Sequence, residues 1–338
     1  MKKVMITKAG SANVLAVQSF PTPTPKDNEV IIETKACGIN FADILARQGL
    51  YPDAPPLPTC VGYEYSGIVT KTGSSVDKKW EGKAVFGLTR FHGYADTVCV
   101  PVDQVFEKPE SLSFEQAAAI PVNYLTAWQL LTVMGALTAD DSILIHNVGG
   151  GVGLAALEIA KHVGATVYGT ASPGKHEFLK QKGLDHAIDY RNKNWESELK
   201  TLTNGRGVEL IIDPIGGNHW RKSYRSLRST GRLGMFGISA ASDSSWKGKI
   251  KLIKTAFQMP FFHPINLMNT NKAVFGVNMG NLWHENAKIS QWMHHILEGV
   301  KEGWISPHVD QSFSFDQAAE AHQYIEDRKN KGKVILIP

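Results

Sequence analysis

A chain of 338 residues, 43% hydrophobic and 20% charged, has the composition of a globular protein with room for about two domains. Its formal charge of +4, from 36 basic and 32 acidic residues, is too mild to point to nucleic acid. Three cysteines, Cys37, Cys60 and Cys99, stand without any CxxC spacing, which excludes a disulfide framework and a zinc ribbon and suits a reducing cytosol.

The N-terminal MKKVMITKAG has too short an apolar run for a signal peptide. No stretch approaches the ~18 consecutive apolar residues of a membrane-spanning helix, so a cytoplasmic protein is expected. Residues 1–122 carry short β-like runs cut by Pro and Gly, among them VIIETKA (30–36), YSGIVTKTG (65–73) and KAVFGL (83–88). They predict a small, mostly β, barrel-like domain. SFEQAAA (113–119) opens a helix with Ser113 and Gln116 at capping-box spacing, Pro121 interrupts it, and helical periodicity resumes in LTAWQLLTVM.

From 123 to 278 strand and helix candidates alternate. The strands are ILIHNV (143–148), ATVYGT (165–170), HAID (186–189), VELIID (208–213), RLGMFG (232–237) and AVFGV (273–277), with helical stretches such as VGLAALEIAKHVG and KHEFLKQKG between them. Such alternation predicts an α/β unit, a doubly wound parallel sheet with helices on both faces. Residues 279–338 hold a helical segment, ISQWMHHILEGVKEG, a second capping box at Ser314 and Gln317, and a last strand, KVILIP; they are expected to return and complete the first domain.

Three features invite other functions. Residues 246–268 combine Lys247, Lys249, Lys251 and Lys254 with Trp246, Phe257, Phe261 and Phe262. A surface helix with its apolar face packed, a hydrophobic lid over a substrate cleft, and contact with an anionic membrane are the three readings. His294 and His295 are adjacent on a helix, point in different directions, and are expected to be solvated surface. RKSYRSLRSTGR (221–232) is expected to be a solvated helix face, not a nucleic-acid patch.

The strongest signal is ILIHNVGGGVGLAALEIA, a buried strand, a glycine-rich turn and a helix. Against G-x-G-x-x-G the first glycine is replaced by Val148, while Gly150 and Gly153 are in place. Gly150 lets backbone approach a pyrophosphate, Gly153 lets the helix pack on the strand, and the helix start offers its free N–H groups through Gly151 and Val152. An NAD site usually has an acid about 20 residues on, at the end of the second strand. Here TVYGTASPGKH has none and offers Thr170, Ser172 and Lys175, a set suited to a 2′-phosphate, with Tyr190 after the third strand as a further hydroxyl. NADPH is the expected cofactor; an exposed lysine at a helix start is the other reading of Lys175.

CGINFADILARQGLYPDAPPLP, the VGGGVG turn, GTASPGKHEFL and the closing GKVILIP together resemble the zinc-independent quinone oxidoreductase branch of the medium-chain dehydrogenase/reductases. NFADILARQGLY, NYLTAW and the basic-aromatic insertion are similar to its vesicle amine transport protein subgroup. The resemblance implies a GroES-like catalytic domain (1–122, completed by 279–338), a Rossmann domain (123–278), and a homodimer through the nucleotide-domain sheet edge. In zinc members of the superfamily a Cys, the His of a GHE motif and a later Cys or acid bind the metal. The matching positions here are Asn40, Tyr63 in GYE, and approximately Val122, so no metal is expected. The implied reaction is hydride transfer to a quinone or an α,β-unsaturated carbonyl. The alternative is a cofactor-binding protein with a membrane-associated or structural role and little catalysis.

The resemblance assigns further residues. Asn40 would orient the cofactor or donate to the acceptor, or merely cap a loop. Tyr51 would donate a hydrogen bond or proton to the acceptor, or only wall the cleft, and Tyr63 would fill the vacated volume. Thr126, Phe236, Gly237, Phe275, Gly276 and Val277 fall where the family contacts the nicotinamide side. Lys333 resembles a lysine near the adenosine phosphates, though a surface lysine on a terminal strand is nearly as good a reading.

Overall fold

Residues 1–242 and 248–338, the part of the chain that the computed structural model describes, divide into two units. One is Met1–Asn123 with Gly280–Pro338, the other Tyr124–Met279. Trp246, Lys247 and the side chain of Lys249 lie outside the described residues.

In the first unit the ten-residue strand Glu29–Gly38 is the spine. It pairs antiparallel with Glu64–Thr72, with Thr97–Pro101 and with the C-terminal Lys333–Ile337. Lys333–Ile337 also pairs parallel with Val309–Ser314, so residues after 280 finish a sheet begun before 123. The barrel-type interior comes from inward positions such as Val30, Ile32, Tyr65, Val85 and Val98. Both capping boxes form, at Ser113 with Gln116 and at Ser314 with Gln317.

The second unit is a six-stranded parallel sheet. Its strands, in spatial order, are His186–Asp189, Thr166–Ala171, Ser142–His146, Val208–Asp213, Leu227–Met235 and Ala273–Gly276. Parallel neighbours need long crossovers, and helices Gly151–Val163, His176–Gln181, Trp195–Leu202 and Asn218–Ser226 supply them. The chain winds outward from Ser142–His146 in one direction and then resumes on its other side at Val208–Asp213. That reversal is the switch point where open α/β sheets bind ligands, at the carboxyl ends of the strands. Val208–Asp213 is buried throughout, which its run VELIID requires of a strand covered on both faces.

Three expectations need correction. RKSYRSLRSTGR is not one helix face: Asn218–Ser226 ends in it and the strand Leu227–Met235 begins, because Leu227 and Leu233 belong to the core. Three of its five cations are paired, Lys222 with Glu196 at 3.0 Å, Arg232 with Asp141 at 2.7 Å, and Arg228 with Glu209 at 2.5 Å. His294 and His295 are exposed but do not diverge, since both rings approach the Glu298 carboxylate, at 3.4 and 3.2 Å. Within 248–270, helices Gly248–Phe257 and Pro264–Thr270 do not pack their apolar face: Ile250, Ile253, Phe257, Phe261, Ile265 and Met268 are all exposed. Among the described aromatics of this segment Phe262 alone packs inward, its ring 5.2 Å from that of Tyr224. No helix among the described residues is long and apolar enough to cross a membrane.

The glycine at 153 fixes how closely helix and strand approach. A Cβ there would lie 2.4 Å from the Asn147 carbonyl oxygen and 2.7 Å from Val148 backbone. Gly153→Ala is therefore expected to push the helix off the strand and destabilise the protein by about 1–3 kcal/mol. Urea denaturation of the two proteins measures it, and an unchanged midpoint would show that the turn is free to relax.

Candidate functional site

Most of the residues expected to bind a dinucleotide follow the carboxyl ends of the parallel strands. Gly150–Gly153 follow Ser142–His146, with Gly150 as N-cap and Gly151 opening the helix. Ser172 and Lys175 follow Thr166–Ala171, whose last-but-one residue is the buried Thr170. Tyr190 follows His186–Asp189, half-buried, and Phe236 and Gly237 follow Leu227–Met235. Phe275 ends with Gly276 the sixth strand, its ring over Gly234, and the buried Val277 donates its N–H to Met235 at 2.9 Å. Thr126 is buried on the helix Pro121–Trp128.

The turn has the shape of an anion cradle. A Cβ on Gly150 would come 2.7 Å from Asn147 Nδ2 and 3.3 Å from the Asn147 carbonyl oxygen, so a side chain there would crowd Asn147 and the turn. The thirteen-residue helix Gly151–Val163 presents its first N–H groups beside it, and its macrodipole favours an anion there. Lys175 is not the exposed helix-start lysine of the second reading. It is buried, and its chain lies over the turn, with Cδ 3.0 Å and Nζ 3.9 Å from where a Gly149 Cβ would sit.

Beneath the turn lies a polar group that the sequence reading missed. His146 and Asp213 end the two central strands, and Ser223 and His219 come from the helix Asn218–Ser226. His146 Nδ1 is 3.0 Å from Thr170 Oγ1, and Ser223 donates to Asp213 Oδ2 at 2.7 Å. Burial pushes the His146 imidazole down to about 3, and it is neutral at neutral pH. The signal available was an acid closing the buried strand VELIID, which demands internal partners.

In the first unit the positions matching a metal site hold a closed ring of side chains. Asn40 Nδ2 donates to Glu64 Oε1 at 2.9 Å, and Lys333 Nζ donates to Asn40 Oδ1 at 2.7 Å. Lys333 and Glu64 form an ion pair at 3% and 0% exposure. Glu64 Oε2 accepts the Val122 N–H at 2.8 Å. Gly38 makes the room, since a Cβ there would lie 2.3 Å from Glu64 Oε1 and 2.6 Å from Lys333 Cε. Neither earlier reading of Lys333 describes this: it is no surface lysine, and its amino group is committed to Glu64 and Asn40. Zinc does not fit these residues, because an ammonium already neutralises the carboxylate and Asn40, Tyr63 and Val122 offer an engaged amide, a phenol and an alkyl group.

Asp43, three residues into the next helix, is fully buried and accepts three donors: Asn40 N–H at 2.8 Å, Gly62 N–H at 3.0 Å and the Tyr94 hydroxyl at 2.9 Å. Burial pushes its carboxyl up to about 7, against those donors and the Lys333 charge. Tyr63 is buried between Tyr51 and Phe91, with ring centroids 6.5 and 5.2 Å away, and so fills volume. Burial raises its phenol far above the ordinary value. Tyr51 is half-buried at the edge of the same cluster.

Comparison with known proteins gives a consistent picture. Residues 26–110 match the alcohol dehydrogenase GroES-like domain, and residues 151–295 match the zinc-binding dehydrogenase domain. The human synaptic vesicle membrane protein VAT-1 homolog is 35% identical over 341 residues, covering 100% of this chain and 86% of that protein. The crystal structure of the human VAT-1 homolog-like protein superposes with a TM-score of 0.87 at 31% identity, covering 100% of this chain and 98% of that one. Escherichia coli quinone oxidoreductase complexed with NADPH does so with a TM-score of 0.87 at 28% identity, both chains covered in full.

Breaking a buried ion pair by removing one partner costs about 3–5 kcal/mol, because the other charge is left uncompensated. Lys333→Met is expected to lose that much stability. The double variant Lys333→Met with Glu64→Gln, which removes the stranded charge, is expected to recover most of it. Additive losses in urea denaturation would show that the two side chains do not interact.

Proposed function

We propose a function on one premise: the chain belongs to the medium-chain dehydrogenase/reductase superfamily, among the VAT-1 homologues and quinone oxidoreductases. The reading is an NADPH-dependent oxidoreductase that delivers a hydride to a quinone or an α,β-unsaturated carbonyl without a metal. The observation that carries it is the open cradle at Gly150–Gly153 with Lys175 lying over it.

NADPH, when bound, supplies the hydride. The chain's own residues would do the rest. The turn's N–H groups and the helix start would hold the pyrophosphate, and Lys175, with Ser172 and with Tyr190 after the next strand, would read the 2′-phosphate. A quinone or enone takes the electron pair onto its oxygen, which needs only a hydrogen-bond or proton donor. Tyr51 is suited to be that donor. Asn40 has its amide orientation fixed by Glu64 and Lys333, and one N–H of Nδ2 remains beyond the bond to Glu64.

The test is incubation of the purified, chelator-treated protein with NADPH and a panel of quinones and enones. Acceptor-dependent loss of the reduced cofactor's absorbance is expected, and none across the panel would remove the reading. Lys175→Ala is expected to weaken NADPH binding by about 1–3 kcal/mol, the scale of a hydrogen bond to a charged group, and to leave NADH nearly unaffected. Equal weakening of both coenzymes in calorimetry would show that Lys175 does not read the phosphate.

A second reading, peripheral membrane contact, is favoured by one observation: Phe257 and Phe261 are 87% and 85% exposed beside Lys251 and Lys254. Some relatives are named as synaptic vesicle membrane proteins. Sedimentation with anionic liposomes is expected to carry the wild-type protein down and to leave the Phe257→Ser, Phe261→Ser double variant in the supernatant. Equal behaviour of the two would end this reading.

A further inference from the structure

Asp213 Oδ1 is held by the Ile215 N–H at 2.7 Å, while Oδ2 accepts the Ser223 hydroxyl at 2.7 Å and faces His219 Nδ1 at 2.6 Å. Ser223 Oγ lies 3.2 Å from His146 Nε2, and His146 Nδ1 lies 3.0 Å from Thr170 Oγ1. Thr170 Oγ1 accepts the backbone N–H of Asn147 at 3.2 Å. With the His146 proton assigned to Nε2, every hydrogen in this chain has one acceptor. Asn147 N–H reaches Thr170, the Thr170 hydroxyl reaches His146 Nδ1, His146 Nε2–H reaches Ser223, and the Ser223 hydroxyl reaches Asp213.

The chain of bonds ends where the backbone is under strain. Asn147 has φ of 55°, a left-handed conformation that a residue with a side chain adopts at a cost. Its carbonyl accepts the Gly150 N–H at 2.9 Å, so the same residue shapes the cradle. His146 and Ser223 are 1% and 0% exposed, too deep to meet a ligand themselves. The His146 ring is packed against Trp195, at 4.6 Å between centroids, which fixes its direction.

We propose that the relay Asp213–Ser223–His146–Thr170 holds the glycine-rich turn in its anion-ready conformation, with His146 and Ser223 as positioning residues for the dinucleotide. They act through Thr170 and the Asn147 backbone. His146, Asp213 and His219 also bring ligand atoms within 4.8 Å of one another, as a metal site would. A divalent ion there would have to take His146 Nε2 and Asp213 Oδ2 away from Ser223 at once. The closed hydrogen pattern favours the relay.

This inference rests on the dinucleotide reading of the turn. Ser223→Ala, and His146→Phe which keeps a ring against Trp195, are compared with the wild-type full chain. Amide hydrogen exchange at residues 147–151, NADPH and NADH calorimetry, and urea denaturation are measured. Both variants are expected to exchange faster at the turn and to bind NADPH about tenfold more weakly, the scale of one hydrogen bond, with the NADPH-to-NADH preference unchanged. A loss of urea stability with turn exchange and NADPH affinity both unchanged overturns the proposal. Stoichiometric zinc binding by the wild type that is lost in His219→Gln overturns it as well. Should the wild type bind neither coenzyme, the dinucleotide reading fails by itself, and the exchange comparison alone then upholds or overturns the relay.

Discussion

A charge removed from water must find its opposite inside the protein, and the first unit is arranged around one such match. Lys333 and Glu64 meet where three strands converge: Glu64 opens one, Lys333 opens another, and Gly38 closes the third. Coulomb attraction at low dielectric is strong, but desolvation nearly cancels it unless the remaining donors and acceptors are satisfied. Here they are met by Asn40 and by the Val122 N–H. The pair thereby ties the last strand of the chain to its first half.

The same ring commits the side chains at the positions matching a metal site to one another. A catalytic zinc would supply positive charge and polarise an oxygen. Lys333 supplies the positive charge to Glu64 and directs its ammonium at Glu64 and Asn40. The amide of Asn40 is thereby held in one orientation by Glu64 and Lys333. In the second unit the strategy differs: a neutral imidazole and two hydroxyls support the turn, and the only buried carboxylate among them, Asp213, is met by donors rather than by a lysine or arginine.

How much of this was legible depends on the range of the interaction. The parallel strands read directly from VELIID and ILIHNV because apolar runs of that length must be covered on both faces. The helix starts at Ser113 and Ser314 read from three-residue spacings. The glycine-rich turn read as a cradle for the same reason: strand, turn and helix are local. Lys333 did not, since its partners lie 269 and 293 positions away and nothing in GKVILIP announces a buried cation. Asp213, His146 and Ser223 were missed likewise, since sheet order sets the two strand ends side by side and the helix Asn218–Ser226 brings Ser223 to them. For 246–268 the sequence left a packed face, a lid and a membrane contact open, because amphipathic periodicity does not say what covers the apolar side.

The crowding at Gly38 has a consequence for how this lineage can change. A methyl group at position 38 would strike both the carboxylate at 64 and the lysine stem at 333. The ammonium at 333 is tolerable only while an anion sits at 64, and the amide at 40 bridges the two. Drift at any one of the four therefore leaves the other three in an unbalanced interior.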